Sequence, residues 1–198
     1  MPYPIKTFLL AITLFAVNQT NAQESQRIYS FKQVGWTIEL PPGFEVMDSS
    51  QNTARMERGL KALEEANDIT ADVSGTITLI GATKNKFNYF NATIERFNPR
   101  TDGSWQASNQ QLKDMVYATF AEKMKDATID TASGKAKIDG VSFDKFRITV
   151  KVGDRVLFNS FLLSKFYKGY NFGISYLYLD ERTKEEIESM LEKSKFIK

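Results

Sequence analysis

The chain contains no cysteine and no histidine in 198 residues. Without cysteine there are no disulfides, no thiolate nucleophile and no lipoprotein attachment point, so stability must come from packing. Without histidine the commonest general base is gone, and with it the Ser-His-Asp triad. The two absences together argue against zinc, copper and iron–sulfur sites, and the expected cofactor complement is none. An excess of one charge is also missing. Lys plus Arg is 26 and Asp plus Glu is 24, with the signs interspersed, which leaves no basic stripe for nucleic acid.

Long hydrophobic runs are equally scarce. The one candidate lies in MPYPIKTFLLAITLFAVNQTNA, where Phe8 to Val17 is too short to span a bilayer. Lys6 before it and Thr20-Asn21-Ala22 after it complete the pattern of a cleavable secretory signal over residues 1–22. Its removal takes away Lys6, leaving 25 basic against 24 acidic residues, and predicts a periplasmic or secreted protein with no stable membrane anchor. Residues 23–198 then form one domain, large enough for a core without staples.

What the chain has in quantity is β-sheet pattern. Val141 to Asp180 reads as three long antiparallel strands, with tight turns at Gly153-Asp154 and Lys168-Gly169. Phe146, Ile148 and Val150 alternate with Lys145, Arg147 and Thr149, one face dry and one wet. In the next strand Val156, Phe158, Leu162 and Phe166 share one face and Leu157, Phe161 and Leu163 the other, as in a central strand covered on both sides. The last strand aligns Tyr170, Phe172, Ile174, Tyr176 and Tyr178 opposite Asn171, Gly173, Ser175, Leu177 and Leu179.

The remaining segments supply the cover. Ser30-Phe31-Lys32 and Gly35 to Leu40 form a strand pair or one bulged strand, ended by Pro41-Pro42-Gly43. Asp48-Ser49-Ser50 caps a helix from about Asn52 to Ala66 with a narrow stripe of Met56, Leu60 and Leu63. Thr76 to Thr83 and Asn88 to Phe97 flank the hairpin loop Lys84-Asn85-Lys86, and Asn98 to Ser104 is a turn-rich loop. Ser108 to Gln111 matches a capping box for a helix ending near Asp126. Ala127 to Thr131 and Lys135 to Ile138 are short segments separated by Ser133-Gly134. Thr183 and Glu186 make a second capping box, for a helix burying Ile187, Met190 and Leu191 before a terminal Phe196-Ile197 strand. The fold class expected is α+β: a single domain built on a mainly antiparallel twisted sheet of about six to seven strands with helices packed on its faces.

This order resembles the PsbP-like and DcrB-like superfamily of small exported α/β domains. The residues that carry the likeness are Gly35-Trp36-Thr37-Ile38-Glu39-Leu40-Pro41-Pro42-Gly43-Phe44, Ile138-Asp139-Gly140, Lys168-Gly169-Tyr170 and Ser194-Lys195-Phe196. The resemblance covers essentially the whole chain after the signal. It implies a helix-covered sheet at the bacterial envelope or in the thylakoid lumen, and mostly accessory, binding or assembly roles. The superfamily has no shared catalytic motif, so no residue carries a role across.

Catalytic signatures are missing from the residues as well. Gly173-Ile174-Ser175 sits inside a strand and not at a nucleophile elbow, and Gly75 and Gly81 bracket a strand without opening a helix. Asp180-Glu181 with Glu185-Glu186 is an acidic helix start, not an EF-hand loop. A hydrolase using only Asp, Glu, Ser or Lys is the one enzymatic alternative. The positive feature is aromatic content, 13% of the chain. Trp105, Tyr170, Phe172, Tyr176 and Tyr178 are the candidate partner or ligand surface, since such side chains offer rigid apolar bodies, some with a polar tip. The function expected is a non-catalytic binding or accessory protein of the envelope with a protein partner. The alternative is a carrier of a small apolar ligand in an aromatic pocket between sheet and helix.

Overall fold

The run from Thr128 to Tyr178 folds as four consecutive antiparallel strands; three more strands extend their sheet, and the helices and a small second sheet are laid on its two faces. In the computed structural model, which describes residues 27–197, the chain opens with β1 (Ile28–Phe31), β2 (Trp36–Glu39), β3 (Glu45–Val46) and α1 (Ser49–Asn67). It continues through β4 (Thr76–Thr83), β5 (Tyr89–Arg96) and α2 (Trp105–Lys123) to the meander β6 (Thr128–Ile138), β7 (Val141–Val152), β8 (Arg155–Tyr167) and β9 (Tyr170–Tyr178). The helix α3 (Glu181–Lys193) and β10 (Lys195–Phe196) close it. The expected signal, residues 1–22, lies outside the described residues.

Seven strands pair in the order β3-β4-β5-β9-β8-β7-β6, and β1-β2-β10 form a separate small sheet. The α+β, single-domain expectation holds. One face of the large sheet carries Phe90, Ile94, Phe143, Phe161, Phe172, Ile174 and Tyr176, covered by α3 and the small sheet through Trp36, Ile38, Ile187, Leu191 and Phe196. The other face is covered by the α1–α2 pair, with Val116, Phe120 and Met124 of α2 packed on Phe146, Ile148 and Val150. Helix α1 buries no residue completely, as its narrow stripe suggested. It is fixed instead by Asn67, whose amide donates to the Met115 carbonyl and to Thr119 Oγ1, both at 3.2 Å.

Four expectations need correction. Helix α2 starts at Trp105 and not at Ser108, because Ser104 is its N-cap, accepting from the Ala107 N–H. Ser108 instead donates its hydroxyl back to the Ser104 carbonyl at 3.2 Å, the usual outlet for serine inside a helix. Helix α3 is capped by Asp180 and not by Thr183, since a carboxylate three residues upstream reaches the Thr183 N–H at 2.9 Å. The two segments around Ser133-Gly134 are one unbroken strand, β6, held in register with β7 through Gly134↔Lys145. Finally, Leu157 packs with Phe158 and Leu162 and not with Phe161. The register shifts between Val150 and Lys151, which pair with Phe158 and Val156, so Leu157 is the extra residue of a bulge and the alternation slips there.

Trp36 is where the two sheets meet. It is completely buried, with ring centroids 5.5 Å from Phe172, 5.7 Å from Phe31 and 6.1 Å from Phe196. Its indole N–H donates to Ser194 Oγ at 3.0 Å, and that hydroxyl donates to the Leu191 carbonyl at 2.7 Å. Trp36→Ala is expected to cost roughly 3–5 kcal/mol, lowering the thermal midpoint by on the order of 10 °C. Trp36→Phe should recover most of that loss. Calorimetry of the two variants checks it, and a near-neutral Trp36→Ala contradicts the central place given to this ring.

Candidate functional site

Helix α3 covers only part of its face of the sheet. Toward β6 the floor is left open, because β7 alternates: Phe146 and Ile148 point to α2, so Lys145 and Arg147 point to the α3 side. These two cations, Ala132 and Gly134 of β6, the rims of Phe161 and Tyr178, and Lys184 and Glu188 of α3 line a cleft of about 340 Å³. An adjoining cleft of about 260 Å³ shares Lys145 and Glu188 and adds Ala136, Leu163, Tyr176 and Glu192.

Charge in the first cleft is unbalanced. Lys145 lies with its ammonium 4.8 Å from the Phe161 ring centroid, a cation–π contact. Among the described residues neither Lys145 nor Arg147 has a carboxylate within ion-pair distance. Lys184 is committed to Glu181 at 2.8 Å, and that hydrogen bond raises its pKa. Glu188 is the one carboxylate in this cleft. Burial pushes the Tyr178 hydroxyl up; Lys184 and Arg147 oppose the shift while Glu188 and Glu181 add to it. Burial likewise raises Tyr176, with Glu188 adding. Both phenols therefore remain protonated donors at neutral pH.

The five aromatic residues singled out from the sequence are not gathered into one surface. Phe172, Tyr176 and Tyr178 are buried, the first between Trp36 and Phe143, the other two beside Phe161 at 4.8 and 5.7 Å. Tyr176 and Tyr178 still reach the two clefts at their rims. Tyr170 is half-buried beneath the Arg96 guanidinium, 4.8 Å above its ring. Trp105 opens α2 and donates its indole N–H to Asn171 Oδ1 at 3.1 Å, on the opposite face of β9 from Tyr170. The cations Lys145, Arg147 and Lys184 were legible only as the wet side of an alternating strand and as helix surface. A second groove, apolar, lies at the far end of the α1–α2 face, where Phe87 and Leu179 are about half exposed.

The wall of the cleft is placed by a buried amide. Asn88 donates to Asp180 Oδ2 at 3.2 Å and to Thr183 Oγ1 at 3.3 Å, and accepts from the Leu179 N–H at 2.9 Å. The β4–β5 hairpin is thereby tied to the first turn of α3. Carboxylate chemistry is dispersed by comparison. Burial raises the pKa of Glu95, with Asp72 and Asp102 adding, yet Glu95 lines none of these clefts. No group of three or more acidic side chains converges to hold a metal among the described residues.

The solution structure of cyanobacterial PsbP (CyanoP) from Synechocystis sp. PCC 6803 superposes with a TM-score of 0.53 at 12% identity. The match covers 86% of this chain and 91% of that one. The fold is PsbP-like. A crystal structure from Bacteroides thetaiotaomicron VPI-5482 matches 87% of the chain and 48% of its own, at TM-score 0.44 and 10% identity. No protein-family model and no curated protein sequence matches the chain. The PsbP-like fold accounts for the scaffold. No helix among the described residues is long and apolar enough to cross a membrane.

The Asp180 cap gives a pH test of how α3 is held. Its carboxyl lies below the ordinary value, chiefly through the Thr183 backbone N–H, with the Thr183 hydroxyl, Asn88 and Lys84 helping against burial. A depressed folded pKa means the contribution is present above the unfolded value, near 3.8, and is lost as pH falls through the folded one. Wild type is therefore expected to lose stability more steeply than Asp180→Asn below about pH 4.5, while Asp180→Ala costs roughly 0.5–2 kcal/mol at neutral pH. Parallel urea titrations from pH 6 to about pH 2.5 check both; identical pH slopes for wild type and Asp180→Asn contradict the cap assignment.

Proposed function

We propose that this chain is an exported, non-catalytic binding or accessory protein of the bacterial envelope, acting through a protein partner at the cleft between α3 and β6–β8. The observation that carries the reading is the composition of that cleft. Lys145 and Arg147 have no carboxylate within ion-pair distance among the described residues and the tyrosines stay protonated, so the cleft offers positive charge and hydrogen-bond donors, with Glu188 as its one carboxylate. Among the described residues the one carboxylate raised by burial, Glu95, stands outside it. Export rests on the residue pattern of positions 1–22. The accessory role agrees with what the resemblance over Gly35 to Phe44 implies. A small-ligand carrier is the weaker reading, because Phe172 is packed among Trp36, Phe143 and Phe196, and Tyr176 and Tyr178 against Phe161, as core.

Expression in a bacterial host tests this directly. The envelope fraction is expected to hold a chain whose mass begins at Gln23. A photo-crosslinking residue at Ala132 should give a discrete protein adduct there, whereas one at the exposed Arg58 of α1 should not. Cytoplasmic retention of the full-length chain defeats the export part. Equal crosslinking from both positions defeats the assignment of the cleft.

A further inference from the structure

The large sheet ends on one side in β3, two residues long, and on the other in β6, eleven residues long. A long edge strand presents unpaired N–H and C=O groups, and proteins usually blunt it with proline, bulges, outward lysines or a covering segment. β6 has few of these. It contains no proline, and its register with β7 runs unbroken from Thr128↔Lys151 to Ile138↔Val141. Two of its charges are turned back onto the sheet, Asp130 to Lys151 and Lys135 to Asp144. Among the described residues no segment lies along its outer side.

The hairpin turn fixes which groups face outward. Asp139 and Gly140 have φ of 43° and 86°, a type I′ turn, so Ile138 and Val141 exchange both ladder hydrogen bonds. The bonded pairs then alternate back through Ala136, Gly134 and Ala132. The N–H and C=O groups of Ile129, Thr131, Ser133, Lys135 and Lys137 are left pointing away from the sheet. The bonded residues place their side chains on the α3 face, and there they are small: Ala132, Gly134 and Ala136 separate the edge from Arg147 and Lys145.

From this juxtaposition we propose that β6 accepts an extended acidic segment of another protein as an eighth strand. The added strand would lie about 4.8 Å from β6, and every second side chain would face α3. Over Ala132 and Gly134 such a side chain has no steric barrier before the cleft, and a carboxylate there meets Arg147 and Lys145. The carboxylates opposing it are Glu188, which lines both clefts, and Glu192 in the second; Asp130 is occupied by Lys151. The acidic residue therefore belongs over Ala132 and Gly134 and not over Ala136. This inference rests on the binding-module reading and specifies its partner by chemistry.

The probe is a capped nonapeptide, Thr-Val-Glu-Val-Thr-Val-Glu-Val-Thr, with a lysine-for-glutamate version and a version N-methylated at alternate amides. Backbone NMR on the mature protein should show the glutamate peptide slowing amide exchange at Ile129, Thr131, Ser133 and Lys135. The lysine and N-methylated peptides should bind at least about tenfold more weakly. Ser133→Pro, which removes an outward N–H without touching the β7 ladder, should abolish binding, and Arg147→Glu should reverse the preference between glutamate and lysine peptides. No binding up to about 1 mM, or equal binding by the N-methylated peptide, overturns the proposal. A wild-type dimer in sedimentation that Ser133→Pro converts to monomer also overturns it, since the occupant is then a second copy. A cleft-specific crosslink at Ala132 combined with failed strand addition would leave the binding module standing and remove only the strand.

Discussion

Burying an indole obliges the fold to find an acceptor for its N–H, and much of this structure follows from how Trp36 meets that demand. The acceptor is the hydroxyl of Ser194, the residue that ends α3 and leads into β10. One hydrogen bond inside an aromatic cluster thus fixes the small sheet, the end of α3 and the face of the large sheet together. β10 is only two residues long and could not hold itself by its ladder. It is held because Phe196 stacks on Trp36 and because its backbone N–H reaches the Asp139 carboxylate at 2.8 Å.

The position of α3 then decides what the sheet exposes. At its beginning, Asn88 binds the Asp180 and Thr183 side chains; at its end, Ser194 receives Trp36. Between these anchors Ile187, Met190 and Leu191 are buried, and Lys184 and Glu188 stand on the flank that looks toward β6. The helix sits over β9 and the small sheet, so Arg147 of β7 and Ala132 and Gly134 of β6 are left exposed beside it, while Phe143 and Ile138 nearer the β6–β7 turn are buried. Among the described residues Arg147 and Lys145 lack carboxylate partners: Lys184 takes Glu181, and Glu188, though it lines the same cleft, is not within ion-pair distance of either.

Much of the architecture was legible because it is encoded by adjacent residues. The period-two runs of β7 and β9 and the turn at Lys168-Gly169 specify pairing locally, and the structure follows them. The errors came where two local signals competed. Ser104 and Ser108 can each cap a helix, and only the chain geometry of Asp102-Gly103 before Ser104 decides between them. Asp180 and Thr183 compete in the same way, and the carboxylate prevails because it accepts from both the N–H and the hydroxyl of Thr183. Leu157 was misplaced because a bulge leaves no mark in hydrophobicity. The cleft could not be read at all: Arg147 becomes part of a site only because α3 stops short of it, a fact set by Asn88 and Trp36 far away in sequence.

The pKa directions on the exposed floor do not single out a general acid or base. Catalysis by general acid and base needs groups whose pKa values are drawn toward neutrality, usually by desolvation in a closed pocket. Here desolvation acts on Tyr176 and Tyr178 and drives them away from neutrality, which keeps them as permanent donors. Arg147 is exposed and Lys145 half-buried, and both place positive charge beside β6. Fixed charges beside a regular backbone edge impose a spacing on whatever binds, because a strand offers a side chain to one face only every second residue. In the proposed strand addition, specificity would come from register and sign. Both are properties of β6 and β7, and neither requires the molecule to change shape.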